Sequence, residues 1–168
     1  LVESAHTLCA YARQKGDMTL LLEIFDYDVY KRALIGPTAL AARFARAMAD
    51  CDNFGLMVDL SHIPLMHETI AQAIYPLRDF IRHAHMGNCV LAPGQPAHGD
   101  AHPRFGFPGS ANGVPELAEY LRALLDIGYL RKGKPGIVSF EVKPFGDEDP
   151  ELVLANAKRA LDEAWALV

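Results

Sequence analysis

Short apolar runs alternate along this chain with segments of helical spacing. The first run, Met18 to Phe25 (MTLLLEIF), follows a Gly16-Asp17 break and reads as a strand. A helix is expected from about Pro37 to Ala49, with Leu40, Phe44 and Ala47 on one face and Pro37 near its start. The second strand is Gly55 to Leu60, followed by a helix from about Leu65 to Tyr75. The third is Phe80 to Met86, followed by an irregular stretch to Val114 and a helix from Pro115 to Leu125. The fourth is Gly136 to Val142. Asp149-Pro150 then caps a last helix that runs to about Trp165. The chain opens inside an amphipathic helix, with Leu1, Ala5, Leu8 and Ala12 near helical spacing.

Strand–helix alternation with apolar strands predicts an α/β fold, a parallel sheet with helices outside it and right-handed crossovers. Runs such as LLL and LMV suit strands covered on both faces. One domain over residues 1–168 is expected. Gly87 to Gly113, rich in Gly, Pro and His, interrupts the rhythm and reads as a binding loop or lid.

Composition narrows the function. About half of the 168 residues are apolar and the formal net charge is −5, without long runs of like charge. Phosphate-backbone binding needs clustered Lys and Arg, so no nucleic-acid partner is expected. No apolar stretch reaches the length of a membrane helix, and the start lacks a basic secretory region, so a cytoplasmic protein is expected. Cys9, Cys51 and Cys89 form no CxxC pair and read as reduced thiols.

The polar residues that break the strands carry the chemistry. Glu23, Asp59, His85 and Glu141 each stand at or near the C-terminal end of a strand, the face where parallel α/β folds place their sites. Three carboxylates and an imidazole suit a divalent cation that prefers oxygen: Mn²⁺ first, with Mg²⁺, Co²⁺ or Zn²⁺ as alternatives. His83 and His85 share a face because strand side chains alternate, and His83 is expected behind the ligands. In the loop, His98, Asp100, His102 and Arg104 are chemically capable. Asp100 and His102 could hold a second ion, and Arg104 offers a fork of donors to a hydroxyl-rich or anionic group. The blander readings are surface glutamates (Glu141 beside Lys143), a capping Asp59 and a hydrogen-bonded turn histidine at His62. No GxSxG elbow or phosphate-binding glycine motif is present.

The segments LEIFD (22–26), VDLSH (58–62), HAHMGN (83–88) and FEVKP (140–144) together resemble the xylose-isomerase-like TIM-barrel superfamily of sugar and sugar-phosphate isomerases and epimerases. The resemblance implies strands five to eight of a barrel, incomplete at the N-terminus. It also implies metal ligation by Glu23, Asp59, His85 and Glu141, with His62 contacting a small carbohydrate substrate. Glu23 and Glu141 would exchange a substrate proton through an enediolate stabilised by the metal. His102 to Gly113 resembles the superfamily's Arg-containing loop, with Arg104 at the substrate. The sequence departs from the superfamily's usual pattern after His-x-His-x-Gly, where Asn88 and Cys89 follow. A lyase or dehydratase on the same scaffold is the first alternative. An apurinic-site endonuclease would need more histidines and a basic face, and neither is evident in the sequence. Four βα units fall short of the roughly 250 residues of a closed barrel, so a non-catalytic half-barrel, or two copies pairing to complete one, are the remaining readings.

Overall fold

The computed structural model describes residues 1–133 and 136–168. Four strands form one sheet in chain order: β1 (Leu20–Glu23), β2 (Phe54–Asp59), β3 (Ile81–Gly87) and β4 (Ile137–Glu141). All three pairings are parallel, and each connection contains helix, as a parallel crossover requires. Helix α1 (Val2–Lys15) precedes β1, and α2 (Thr38–Ala47) leads to β2. Two short helices, α3 (His62–Leu65) and α4 (Ile70–Ile74), lead to β3. Helix α5 (Val114–Asp126) leads to β4, and α6 (Pro150–Trp165) follows it. The expected α/β architecture is present.

The strand register sorts the sheet into two unlike faces. Leu56 and Val58 of β2 and Ile81, Ala84 and Met86 of β3 turn to the helices and are buried in one apolar core. Leu117, Leu121 and Leu124 of α5 and Ala157, Ala160 and Ala164 of α6 fill that core from the other side. The alanines of α6 recur at helical spacing and let it lie close against α5. Each fully buried leucine contributes roughly 1.5–3 kcal/mol. The second face carries Glu23, Met57, Asp59, His83, His85, Ser139 and Glu141, brought side by side by the pairings Glu23–Met57, Asp59–His85, His85–Ser139 and Gly87–Glu141.

A bulge in β3 makes this sorting possible. Leu56 pairs with Ile81 but the next residue, Met57, pairs with His83, so Arg82 is an extra residue in the strand. Because side chains alternate, a one-residue slip exchanges the faces. Without Arg82 out of register, His83 and His85 would point into the apolar core. The bulged arginine lies across Gly55, where an added Cβ would stand 2.2 Å from its Cγ. Gly55 therefore makes room for the bulge.

Three expectations need correction. Of the face expected in α2, Phe44 is buried with Ala41, Ala42 and Ala45, whereas Leu40 and Ala47 are exposed. The expected helix over Leu65–Tyr75 is interrupted: His67 adopts a left-handed backbone (φ 60°), and Thr69 with Gln72 forms a capping box that starts α4 afresh. In α1 the buried residues are Ala5 and Cys9, whereas Leu1 and Leu8 are exposed. The helix is turned by part of a turn from the face the leucines suggested.

The stretch after β3 is anchored along its length. Val90 bridges to both His98 and Ser110. Buried Asn88 accepts from the backbone N–H of Cys89 and Asn112 and donates to the carbonyl of Arg104. Asn112 in turn donates to the carbonyls of Leu60 and Gly87. Asn88 is thus a staple that fastens this loop over the strand ends.

Candidate metal centre

The sheet delivers Glu23, Asp59 and Glu141 as the last residues of β1, β2 and β4, with His85 two residues before the end of β3. One ligand atom from each lies within 4.8 Å of every other. His85 Nδ1 is 2.5 Å from Glu141 Oε2 and 3.6 Å from both Glu23 Oε1 and Asp59 Oδ2. Asp59 is fully buried, and its other oxygen accepts from the Ser61 N–H at 2.6 Å, which fixes the carboxylate's rotation. Gly87 walls the cluster: an added Cβ would stand 2.7 Å from Asp59 Oδ1 and 2.9 Å from His102 Nδ1.

The donor chemistry fits a cation. Glu23 Oε1, Asp59 Oδ2 and His102 Nδ1 are buried and lack any hydrogen-bond partner. Orphaned acceptors are costly in a protein interior unless a positive charge serves them. The surrounding carboxylates of Asp59, Glu141 and Glu23 hold a proton on His85, pushing it up to about 11. Burial alone would raise the Asp59 carboxyl, but the nearby cations of His85 and His62 outweigh it and leave it at about 2. The partners of Glu141 are His85 and His102 (3.5 Å). His83 stands edge-on to His85 and bonds the Ser139 hydroxyl at 2.9 Å, behind the cluster.

A second polar group abuts the first. Asp100 Oδ1 receives His102 Nε2 at 2.7 Å and His62 Nε2 at 3.0 Å, while its Oδ2 meets Lys31 Nζ at 3.2 Å. His62 Nδ1 faces the carbonyl of Ile24 at 2.9 Å, so both ring nitrogens face acceptors and both must donate. Burial would lower the His62 pKa, but the Asp100 hydrogen bond and the Asp59 charge prevail and raise it to about 8. The same contacts hold Asp100 well below the usual carboxylate range against the opposing effect of burial. His102 sits at φ 50°, a left-handed backbone that costs a non-glycine residue of order 1–3 kcal/mol and that structures tolerate mainly at functional positions. Asp59, His62 and His102 are themselves close enough to share an ion.

His62 and Arg104, expected at the substrate, both touch protein groups in this structure. His62 is 1% exposed, packed on the Phe25 ring, with both nitrogens engaged. Arg104 donates to Glu148 at 2.8 Å and to the Gly106 carbonyl at 3.2 Å, with its guanidinium over Phe107. Glu148, in the turn between β4 and α6, and the Gly106 carbonyl engage part of its donor fork.

Several contributors escaped the sequence reading. Asp26 accepts from the backbone N–H groups of Val29, Tyr30, Lys31 and Arg32, folding the loop that brings Lys31 to Asp100. Gly55 and Gly87 had a usable signal: a glycine inside a strand marks a bulge or a close approach. Lys31 had none.

No family model matches the chain, and no curated protein does. Solved structures do. A 3-keto-D-glucoside 4-epimerase from E. coli matches over 98% of this chain at 19% identity and a TM-score of 0.66. D-psicose 3-epimerase with D-tagatose from Clostridium cellulolyticum H10 matches over 98% at 21% identity, TM-score 0.65. A family 2 AP endonuclease from Brucella melitensis matches over 92% at 18% identity, TM-score 0.62. The matches take in 52%, 54% and 50% of those chains, so this chain spans about half the length of the structures it matches. The chain therefore has the fold of about half of each of these chains, four parallel βα units of the (β/α)-barrel type.

Proposed function

We propose that this chain carries the metal and proton-transfer half of a sugar or sugar-phosphate isomerase or epimerase. The observation that supports the reading is the convergence of Glu23, Asp59, His85 and Glu141 at the strand ends, with two buried acceptor oxygens unserved. These four residues would hold one divalent cation, Mn²⁺ by preference for their oxygens. When bound, the cation would supply Lewis-acid polarisation of a carbonyl oxygen.

The chain's own residues account for the proton movements. Glu23 and Glu141 come from β1 and β4, the first and last strands of the sheet, and approach His85 from either side. A sugar carbon between them would present its hydrogen to one carboxylate and its opposite face to the other. Glu141, the most open of the four, would take or return the proton on the solvent side. Asp59 would stay ionised and fixed by Ser61, while Asp100, His62 and His102 would position the loop over the site.

The test is solvent exchange. Metal-loaded protein incubated with a panel of ketoses and aldoses in D₂O should place deuterium on the carbon next to the carbonyl, as read by NMR. Glu23→Gln and Glu141→Gln should each lose about 10²-fold or more of that exchange. Absence of exchange from a folded, metal-loaded protein would overturn the assignment and favour a non-catalytic half-barrel. Loss of water from the substrate would identify a lyase instead. Size in solution bears on the rest of the barrel, since a stable dimer would support two copies completing it.

One observation favours a second reading. Asp59, His62 and His102 form a further group that shares Asp59 with the first, and paired cations suit metal-assisted hydrolysis. To ligate there, His62 would have to give up its bond to the Ile24 carbonyl or to Asp100. Two Mn²⁺ per chain, falling to one in His102→Ala, would support that reading. One Mn²⁺ in both would dismiss it.

A further inference from the structure

Away from the carboxylate cluster, α1 meets the turn that leads into β2, and there His6, Asp50 and Cys51 bring ligand atoms within 4.8 Å of one another. His6 Nδ1 lies 3.0 Å from the carbonyl of Val2 and can only donate to it. That bond fixes the tautomer, so the neutral ring presents a bare lone pair on Nε2. Nε2 is aimed at Asp50, 3.0 Å from one carboxylate oxygen and 3.3 Å from the other. A lone pair and a carboxylate at that separation repel unless a cation lies between them, either a proton on Nε2 or a metal ion. A histidine oriented through one nitrogen by a backbone carbonyl is the usual arrangement of a metal ligand.

The surroundings decide between proton and metal. An exposed His–Asp pair needs no neighbours and is worth little, yet this one has two thiols beside it. Cys51 is half-buried, and Cys9, three residues after His6 on α1, is buried with its thiol against that of Cys51. The turn is held in place as well, because Asn53 donates to the Cys9 carbonyl at 2.9 Å. An imidazole, a carboxylate and a thiol from two segments form a mixed donor set that suits zinc, unlike the oxygen-rich set at the strand ends.

We propose that His6, Asp50 and Cys51 bind a thiophilic divalent cation, Zn²⁺ in kind, which pins α1 to the α2–β2 turn. The ligating thiol gives its proton to solvent, and no electrons are transferred. The site is structural. Helix α1 buries Ala5 and Cys9, so a cation there stabilises the fold independently of any reaction at Glu23 and Glu141.

Co²⁺ titration of the metal-free chain under reducing conditions tests this, because thiolate-to-cobalt charge transfer gives a near-ultraviolet band that the carboxylate cluster cannot produce. The band should appear in wild type, in Glu141→Gln and in Cys89→Ser, and should vanish in Cys51→Ser. Asp50→Asn, an exposed change that the fold tolerates, should weaken cobalt binding at this band about tenfold or more. Zn²⁺ should raise the melting temperature of Glu141→Gln and leave that of the double variant Glu141→Gln with Asp50→Asn nearly unmoved. No band in folded wild type, or an undiminished band in both Cys51→Ser and Asp50→Asn, would overturn the assignment. Loss of Mn²⁺ binding or deuterium exchange with the cobalt band intact would count against the proposed function and leave this site standing.

Discussion

Replacing Gly87 with alanine adds one carbon at the most crowded point of the site. That carbon would meet Asp59 Oδ1 at 2.7 Å, His102 Nδ1 at 2.9 Å and Asp59 Oδ2 at 3.1 Å. Ordinary contacts between such atoms lie nearer 3.5 Å, so the carboxylate must retreat by roughly half an ångström or more. It has little freedom to do so. Ser61 holds one oxygen at 2.6 Å, the side chain is fully buried, and His102 is tied to Asp100 at 2.7 Å. Metal ligation tolerates about ±0.2 Å, so Gly87→Ala should weaken Mn²⁺ binding by about tenfold to a hundredfold, the scale for disturbing the groups around a metal. Overpacking should also cost about 1–3 kcal/mol of stability in the metal-free protein. Calorimetric titration and thermal unfolding of the two proteins read both effects. Gly113→Ala is the control, since its nearest contact would be an ordinary 3.4 Å. Mn²⁺ affinity within twofold of wild type, with an unchanged melting temperature, would refute the packing argument.

Other expectations follow from the same geometry. Because Asp59, Glu141 and Glu23 hold His85 protonated up to about pH 11, cation binding near neutral pH should release about one proton, and apparent affinity should rise about tenfold per pH unit. Titration in buffers of different ionisation enthalpy measures this, and zero protons released would contradict it. His62, raised to about 8 chiefly by Asp100 against burial, contributes stability that is complete below its unfolded value near 6.5 and is lost as pH rises through about 8. His62 alone should therefore cost the metal-free protein about 2 kcal/mol between pH 6 and 9, beside a larger loss from His85, and Asp100→Asn should remove the His62 share while lowering stability. An unchanged pH profile in Asp100→Asn would remove that pair from the account. Gly55→Ala should cost about 1–3 kcal/mol by forcing the Arg82 bulge, and an unaffected thermal transition would show that the bulge accommodates it.

The ligand set was legible because glutamate, aspartate and histidine are conspicuous at the ends of apolar strands, where charge has no place without a partner. Its arrangement was not. The faces of β3 depend on one bulged residue, Arg82, and alternation alone cannot say whether His83 and His85 face the core or the site. His62 and Arg104 have the right chemistry for substrate contact, but the loop after β3 sets Asp100 against His62, and the turn after β4 sets Glu148 against Arg104. Loop conformations of that kind are set by long-range contacts such as Asn88 and Asn112 make, not by local pattern. The interrupted helix after β2 was readable in principle, since Thr69 and Gln72 show capping-box spacing.

The most direct test of the account is Mn²⁺ titration of the metal-stripped chain beside Glu23→Gln, Asp59→Asn, His85→Gln and Glu141→Gln. Stoichiometric binding by wild type, weakened about tenfold or more in each of the four variants, is the expected result. Folded wild-type protein that binds no Mn²⁺, or binds it equally well in all four variants, would contradict the claim that these side chains form one cation site.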